Sequence, residues 1–421
     1  MYLSELRINW QALLSASVGI GLGSALSHYT MSLFGPPLLA EFGWTKAQFA
    51  LIGALPVVTL LLAPFAGRFT DRFGARRAAS LGFVALSLGF LGFTQIDGSL
   101  PAFFAIYALQ HVFGILTTSL VFCRVIVERF DRARGLALSL LMTMPPLAGA
   151  IAAPLLGSLI AAEGWRAGYA ALAAVTAFGG LIAVGAMRAQ SNEAAKAWAA
   201  KTPPFTAGSL RKLLSHRGLL MLLAGMFLVN LPQAIASSQL KLVLEDAGVA
   251  ASTATWMLSV YAVGVIVGRF LSGLALDRIP AHLVALAALG LPAAGYAMLG
   301  SGAVQVGPVF LAILLIGLAQ GAEGDLGAYF VSRNFDMANF SLLLSFVTAV
   351  IGGGSAVGSG ILSLMLHQGF GYSAFLLFAA VTTAVGAALF ALTAKSGDKA
   401  DPVLSTGQEM ALEQVAKGEV H

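Results

Sequence analysis

Twelve apolar stretches dominate the sequence. Each can cross the hydrocarbon core of a bilayer, which takes about 20 residues of helix. Charge clusters and turn residues bound them at about 11–38, 47–66, 78–96, 101–126, 136–161, 167–188, 218–242, 253–276, 283–301, 307–330, 340–366 and 373–394. They are continuously apolar rather than alternating, which excludes a transmembrane β-barrel. The sequence therefore predicts an all-α membrane protein with twelve transmembrane helices, numbered below as spans 1 to 12.

The composition agrees with this prediction. Of the 421 residues, 58% are hydrophobic and only 10% are charged, whereas a soluble domain is about 25% charged. So few charges cannot cover a soluble surface, which excludes a soluble enzyme and a disordered chain. The net charge of +5 is explained by basic cytoplasmic loops, so we expect no nucleic-acid partner.

A polar linker at 189–217 separates a first half, residues 1–188, from a second half, residues 218–394, and a polar tail occupies 395–421. Most Lys and Arg residues fall in the loops on the side of the N-terminus. Such an excess marks the cytoplasmic side. We therefore expect both termini in the cytoplasm, and the Ala- and Gly-rich composition favours a bacterial inner membrane.

The two halves repeat each other at an offset of about 205 residues. Asp71-Arg72 returns as Asp277-Arg278, Phe42-Gly43 as Ala247-Gly248, and Gly164-Trp165 as Gly369-Phe370. Duplicated halves are typical of transporters whose substrate site lies between two similar bundles. The repeat therefore predicts two pseudo-symmetric six-helix bundles.

The loop between spans 2 and 3, GRFTDRFGARR, resembles the signature loop of the major facilitator superfamily, and a degenerate copy follows span 8. The resemblance implies the major facilitator fold, gradient-driven transport of a small molecule, and a monomer. We expect Gly67 to allow close helix approach, and Asp71 to cap a helix and pair with basic residues. The expected gating loops comprise Gly67, Asp71, Arg72, Arg76, Arg77, Asp277 and Arg278.

Four further stretches look like the monocarboxylate and oxalate–formate transporter branch: FGPPLLAEFGWTKAQFALI, RARGLALSL, EGWRAGY and GRFLSG. In such carriers an arginine of the eighth span binds the substrate carboxylate, a role that would fall on Arg269. Many of them have an aspartate one turn earlier for proton coupling, where this chain has Val265. A lysine often found in their first span is also not evident, and His28 lies in that region. Proton coupling would therefore use other groups.

Ionisable residues inside the membrane cost at least about 2.5–3.5 kcal/mol each on insertion scales, which makes them functional candidates. Glu323 and Asp325 are two residues apart and cannot share a helix face. We expect Glu323 to face the cavity together with Gln320, and either acid is a candidate proton carrier. The alternative is a structural ion pair with Arg269 or Arg124.

Other polar residues complete the predicted site. A guanidinium grips a carboxylate through two parallel hydrogen bonds, so Arg269 is the expected substrate anchor. The imidazoles of His28 and His111 are candidate proton shuttles, or else they form hydrogen bonds between helices. Further substrate contacts are expected from His28, Tyr29, Gln233, Tyr261 and Gln320, each of which could instead join neighbouring helices. The glycine run GGGSAVGSG in span 11 is interpreted as a helix-packing surface.

The sequence has no nucleotide-binding motif, no Cys and His cluster for a metal, and no nucleophile with a base, so we expect neither enzyme activity nor a cofactor. The resulting hypothesis is proton-coupled symport of a small organic acid of the monocarboxylate type by alternating access. Two alternatives stay open. One is a proton-driven antiporter that exports drugs or metabolites, using Glu323 and Asp325. The other is an organic anion exchanger without proton coupling.

Overall fold

The computed structural model describes residues 2–130, 132–187, 217–276, 278–334 and 340–397. Helices and short turns make up these residues, and no strand occurs among them. The predicted linker at 189–217, except for residue 217, lies outside the described residues. So does most of the tail at 395–421.

Most of the predicted spans are single long helices. Spans 3, 5, 6 and 8 to 12 are Ala75–Thr94, Arg134–Glu163, Trp165–Ala186, Ala251–Leu276, Ala281–Gly300, Val306–Asn334, Phe340–His367 and Tyr372–Gly397. Eleven helical runs of the described chain are long and apolar enough to cross a membrane. The exception is span 1, whose longest helix has 13 residues.

Spans 1, 2, 4 and 7 are interrupted. Span 1 comprises Trp10–Leu22, Ser24–Thr30, Met31–Leu33 and the start of Gly35–Phe42, and a short helix, Tyr2–Ile8, precedes it. The last residues of Gly35–Phe42, including Glu41, lie beyond the predicted end of the span at about 38. Span 2 comprises Lys46–Ala50, Leu51–Ala54 and Pro56–Phe73. Span 4 comprises Leu100–Gly114, Ile115–Thr117 and Ser119–Val127. Span 7 comprises Arg217–Asn230, a π-helical turn Ile235–Gln239, and Leu240–Asp246.

The prediction of one continuous helix for span 1 was wrong, and the cause lies at Gly23. This residue has φ −84° and ψ −146°, which is not helical, and glycine is a poor helix former. The next amide, of Ser24, donates to the Thr117 side-chain oxygen at 2.9 Å instead of to a carbonyl one turn back. Thr117 lies at the interruption of span 4, so the two breaks stabilise each other.

The two halves share equivalent turns, as the repeat predicted. Gly43 and its counterpart Gly248 have φ values of +66° and +91°. Gly164 and its counterpart Gly369 both have φ +85°. Glycine adopts this left-handed region without steric penalty, so the repeated glycines end the same helices in both bundles.

The structure has two faces, which we name by their loops. The terminal face carries the start of span 1 and the end of span 4, where the Asn9 side chain donates to the Arg129 carbonyl at 2.9 Å. The distal face carries the four repeated glycine turns. There Lys46 of the first bundle forms an ion pair with Asp246 of the second, so the distal loops of both bundles share one side.

The buried core shows how the bundles meet. One cluster contains residues of both bundles in the distal half, among them Phe34 and Tyr169 of the first and Leu242 and Tyr372 of the second. Towards the terminal face, the first bundle and the second bundle each have a cluster of their own. The bundles are therefore joined in the distal half through spans 1 and 7, 2 and 11, and 5 and 8.

Candidate functional site

Arg269 lies in span 8, half-buried, seven residues before the end of the helix at Leu276. Its charge interacts with the phenol of Tyr29, which belongs to span 1 of the other bundle. The guanidinium is therefore within electrostatic range of span 1 of the other bundle.

Tyr29 and Tyr261 bring the two bundles together beside this arginine. Their ring centroids lie 6.1 Å apart at an interplanar angle of 43°. Tyr29 lies flush against span 5, because a Cβ at Gly149 would come within 2.5 Å of its side chain. The Tyr261 hydroxyl is buried and has no hydrogen-bond partner among the described residues. It can therefore offer both a donor and an acceptor to a ligand.

Glu323 lies inside the second bundle and is 5% exposed. Its carboxylate accepts hydrogen bonds from the Asn230 amide of span 7 and from the Gln320 amide at 3.4 Å. No basic side chain of the described chain forms an ion pair with it, so the expected alternative of a pair with Arg269 or Arg124 is not seen. Arg124 pairs instead with Glu128 at 2.9 Å.

The expected orientation of Glu323 needs correction. The same helix face carries Gly327, where a Cβ would contact Val347 of span 11 at 3.1 Å and Met226 of span 7 at 3.5 Å. This face packs within the second bundle, so Glu323 points at the broken span 7 and not into an open cavity. Two phenols, of Tyr261 in span 8 and Tyr296 in span 9, interact with its charge.

The two histidines lie near each other in the first bundle. His28 packs edge-on against Tyr29, with centroids 5.1 Å apart, and lies within electrostatic range of His111. His111 donates a hydrogen bond from Nδ1 to the Tyr107 carbonyl, 3.0 Å away. Both bundles thus contribute phenols, to which the first bundle adds imidazoles and the second adds a guanidinium, amides and a carboxylate.

Gln233 is not brought into this group by any hydrogen bond. It lies half-buried in the break of span 7, and its side chain forms no hydrogen bond within the described chain. Its backbone carbonyl accepts from Ser237 at 3.1 Å. The side chain of Asp325 falls outside the described residues.

The structure describes most of the residues predicted to form the gating loops. Gly67 does not mediate a close helix contact in this structure, because a Cβ there would meet no atom within 4 Å. Arg72, Arg76, Arg77 and Arg278 are exposed at the terminal face, and the Arg72 guanidinium lies 5.4 Å from the neighbouring Phe73 ring. The side chain of Asp71 and the whole of Asp277 lie outside the described residues.

Sequence reasoning missed the distal contacts between the bundles. Besides its ion pair with Asp246, Lys46 lies 5.5 Å from the Tyr372 ring centroid, and the Tyr372 hydroxyl donates to the Gln239 side chain at 2.8 Å. The repeat offered a signal for this cluster, since Lys46 and Asp246 lie close to the repeated glycine turns. Tyr296 carried no such signal, because an isolated tyrosine in an apolar helix is unremarkable.

The candidate site combines the cation of Arg269, a buried phenol, a carboxylate held by amides, and two imidazoles. No group of three or more His, Cys, Asp or Glu side chains in the described chain could hold a metal ion. The combined groups of the site can bind an anion and separately accept a proton.

Comparison with known proteins places the chain among membrane transporters. Residues 15–242 and 222–417 each match the model of the Major Facilitator Superfamily. A crystal structure of a mutant of the nucleoside transporter NupG superposes with a TM-score of 0.71 at 10% identity, covering 92% of this chain and 98% of that one. A bacterial homologue of the human lysosomal transporter Spinster, in an inward-facing and unoccupied conformation, gives 0.68 at 14% identity, with 94% and 98% coverage. No curated protein matches the sequence. At such identities the structural likeness concerns the fold alone.

Proposed function

Since the chain belongs to the Major Facilitator Superfamily, we propose that it is a proton-coupled symporter of a small organic acid. The substrate carboxylate binds Arg269, and a buried group of the second bundle takes up the proton. The two bundles then rock about the site by alternating access. The protein works as a monomer, without a cofactor.

The observation that carries this proposal is the position of Arg269 within electrostatic range of Tyr29, which belongs to the opposite bundle. We therefore expect an anion bound to Arg269 to lie near both bundles. A permanently charged guanidinium is costly at this depth, and a carboxylate ligand offsets that cost through paired hydrogen bonds. The buried Tyr261 hydroxyl, which has no partner within the described chain, supplies a further hydrogen bond for the substrate.

The energetics of anion uptake and the surroundings of Glu323 support the proposed proton coupling. Moving one net negative charge into a negative-inside cell costs about 2.3 kcal/mol per 100 mV. One co-transported proton removes this cost. Glu323 is buried and held by neutral amides, which is the environment of a carboxyl that can bind and release a proton without breaking an ion pair.

The contacts between bundles support an assignment of the conformation. With both termini in the cytoplasm, as the charge distribution predicts, the distal face is the outer one. The core shared by both bundles in the distal half then closes the outer side, and the separate cores near the terminal face are those of an inward-facing state in the bacterial inner membrane.

Transport into proteoliposomes tests the proposal and separates its alternatives. We expect uptake of radiolabelled monocarboxylates to be driven by an inward proton gradient, to be abolished in Arg269→Gln, and to be retained in Arg68→Gln, which removes an exposed arginine at the end of span 2. Substrate-driven proton movement in the opposite direction would indicate an antiporter. Counterflow that ignores the pH gradient would indicate an anion exchanger.

A further inference from the structure

Asn230 connects the buried acid to the break in span 7. It is the last residue of the helix Arg217–Asn230 and is 1% exposed. Its amide nitrogen donates both to Glu323 and to the Met226 carbonyl at 2.8 Å. Because both partners are acceptors, the orientation of the amide is fixed. Its oxygen is left buried with no hydrogen-bond partner in the described chain.

The interruption of span 7 that follows Asn230 packs against the glycine run of span 11. Pro232 cannot donate a backbone hydrogen bond, and a π-helical turn begins at Ile235. A Cβ at Gly354 would lie 3.1 Å from the Asn230 Cβ, and one at Gly358 would lie 1.7 Å from the Leu231 carbonyl oxygen. Span 11 therefore has glycine at two positions where the backbone of span 7 comes close to it.

The same stretch of span 11 contacts the other bundle. The Ser355 hydroxyl donates to the Gly53 carbonyl of span 2 at 3.3 Å, and a Cβ at Gly53 would lie 2.5 Å from the Ser359 hydroxyl. Beyond the break, span 7 reaches the first bundle directly, where the Lys241 backbone amide donates to the Ser32 hydroxyl at 2.7 Å. A displacement of Asn230 would therefore alter two contacts between the bundles, one made by span 11 and one made by span 7.

We propose that Asn230 is a positioning residue that transmits the protonation state of Glu323 to the contacts between the bundles. This rests on the proton coupling proposed above. The ionised carboxylate accepts a hydrogen bond from the amide and holds the end of the helix in place. After a proton binds to a carboxylate oxygen, the acid becomes a donor, and the unpartnered amide oxygen of Asn230 is the nearby acceptor. Accepting a hydrogen bond from the protonated acid requires the amide to turn, which breaks the hydrogen bond from its nitrogen to the Met226 carbonyl.

The groups that face Glu323 leave it as the titrating member of the cluster. Its partners on spans 7 and 10 are the neutral amides of Asn230 and Gln320. The groups facing it from spans 8 and 9 are the phenols of Tyr261 and Tyr296, which are uncharged near neutral pH. The guanidinium of Arg269, also on span 8, acts electrostatically on the phenol of Tyr29 and forms no ion pair with Glu323.

Spin labels on the distal loops test the proposal without any substrate. Gln95→Cys and Ser301→Cys place one label on each bundle in a Cys123→Ser background, and both positions are exposed. We expect the interspin distance in lipid nanodiscs to change with pH in the parent protein. Asn230→Leu, which keeps the branched shape of the side chain but cannot hydrogen-bond, should lose this response. Ser238→Ala is the matched control, since that buried hydroxyl bonds only within span 7, and it should keep the response.

A pH response in Asn230→Leu equal to that of the parent protein would overturn the proposal. If Asn230→Leu does not fold, Glu323→Gln takes its place. This variant should show the low-pH interspin distance at every pH. A pH response like that of the parent protein in Glu323→Gln would also overturn the proposal. The proposed transport function is tested independently of the role of Asn230. If no carboxylate is transported, the distance measurement still stands. If Arg269-dependent acid uptake keeps its normal pH profile in Asn230→Leu, only the role of Asn230 fails.

Discussion

The Lys46 ammonium of the first bundle forms an ion pair with the Asp246 carboxylate of the second. The repeat relates Asp246 to Glu41, and these two acids have different partners. Glu41 accepts hydrogen bonds from Trp165 at 2.6 Å and Arg166 at 2.7 Å, both in its own bundle. The second half has Phe370 and Gly371 at the positions of that tryptophan and arginine. Asp246 therefore lacks an equivalent pair within its own bundle, and its partner comes from the other bundle.

The asymmetry predicts that Asp246→Asn weakens closure of the distal face. The pair is about 40% exposed on both sides, and exposed pairs are worth about 0.2–1 kcal/mol, so the ratio of closed to open conformers should fall by up to about fivefold. Distances between spin labels on the distal loops would report this change. The exchange Lys46→Asp with Asp246→Lys should restore the distance distribution.

Glu41→Gln is the control for that measurement, because its partners lie in the same bundle. It should leave the distal distances unchanged while lowering thermal stability. Equal opening in Glu41→Gln and Asp246→Asn would show that the distal ion pair has no special role in joining the bundles.

We also expect the hydrogen bonds of Glu41 to make the stability of the protein depend on pH. Hydrogen bonds from Trp165 and then from Arg166 lower the pKa of the Glu41 carboxyl below its ordinary value of 4.5. A lowered folded-state pKa stabilises the protein above the unfolded-state pKa, and this stabilisation is lost as the pH falls through the folded-state value. The difference in melting temperature between the parent and Glu41→Gln should be full at pH 7 and vanish in strong acid. A difference that grew on acidification would contradict this assignment.

Thr117→Val should destabilise the first bundle. The hydroxyl accepts from the Ser24 amide at 2.9 Å and donates to the Gly114 carbonyl at 2.7 Å, so its loss leaves the break of span 1 without its acceptor. An unsatisfied buried group costs about 1–3 kcal/mol. Thr176→Val is the matched control, because the Thr176 hydroxyl is buried with no partner in the described chain. Detergent-based thermal unfolding should show a lower melting temperature for the first variant only.

Two glycines of span 11 give a second matched pair. A Cβ at Gly358 would collide with the Leu231 carbonyl, whereas one at Gly360 would meet no atom within 4 Å. Gly358→Ala should therefore cost about 1–3 kcal/mol through overpacking. Gly360→Ala should be neutral or stabilising by up to about 1 kcal/mol, because alanine favours helix. Equal melting temperatures for the two variants would mean that span 7 does not rest on Gly358.

Much of the fold follows from patterns that repeat along the sequence. Span length, the polar divide and the repeated turns at Gly43 and Gly248 fix the helix count and the two-bundle arrangement, because each reflects a local rule of chain length or backbone conformation. The interruptions of spans 1 and 4 were not predicted. They depend on the Ser24 and Thr117 contact, which joins residues 93 positions apart and leaves no local signal.

The candidate site could be predicted only in part from the sequence, for the same reason. Hydropathy identifies Arg269 and Glu323 as exceptional, since any charge stands out in an apolar helix. Which helix each one faces depends on packing. Periodicity placed Glu323 towards a cavity, but the glycines of spans 10 and 11 let span 7 approach so closely that Asn230 covers the acid instead.

Direct binding to Arg269 tests the central claim. Isothermal titration of the purified protein with small monocarboxylates at pH 6 and 8 should give saturable binding in the parent protein. It should be weakened in Arg269→Lys, which loses the paired hydrogen bonds, and absent in Arg269→Gln, while Arg68→Gln binds like the parent. Carboxylate binding of undiminished affinity in Arg269→Gln would contradict the account.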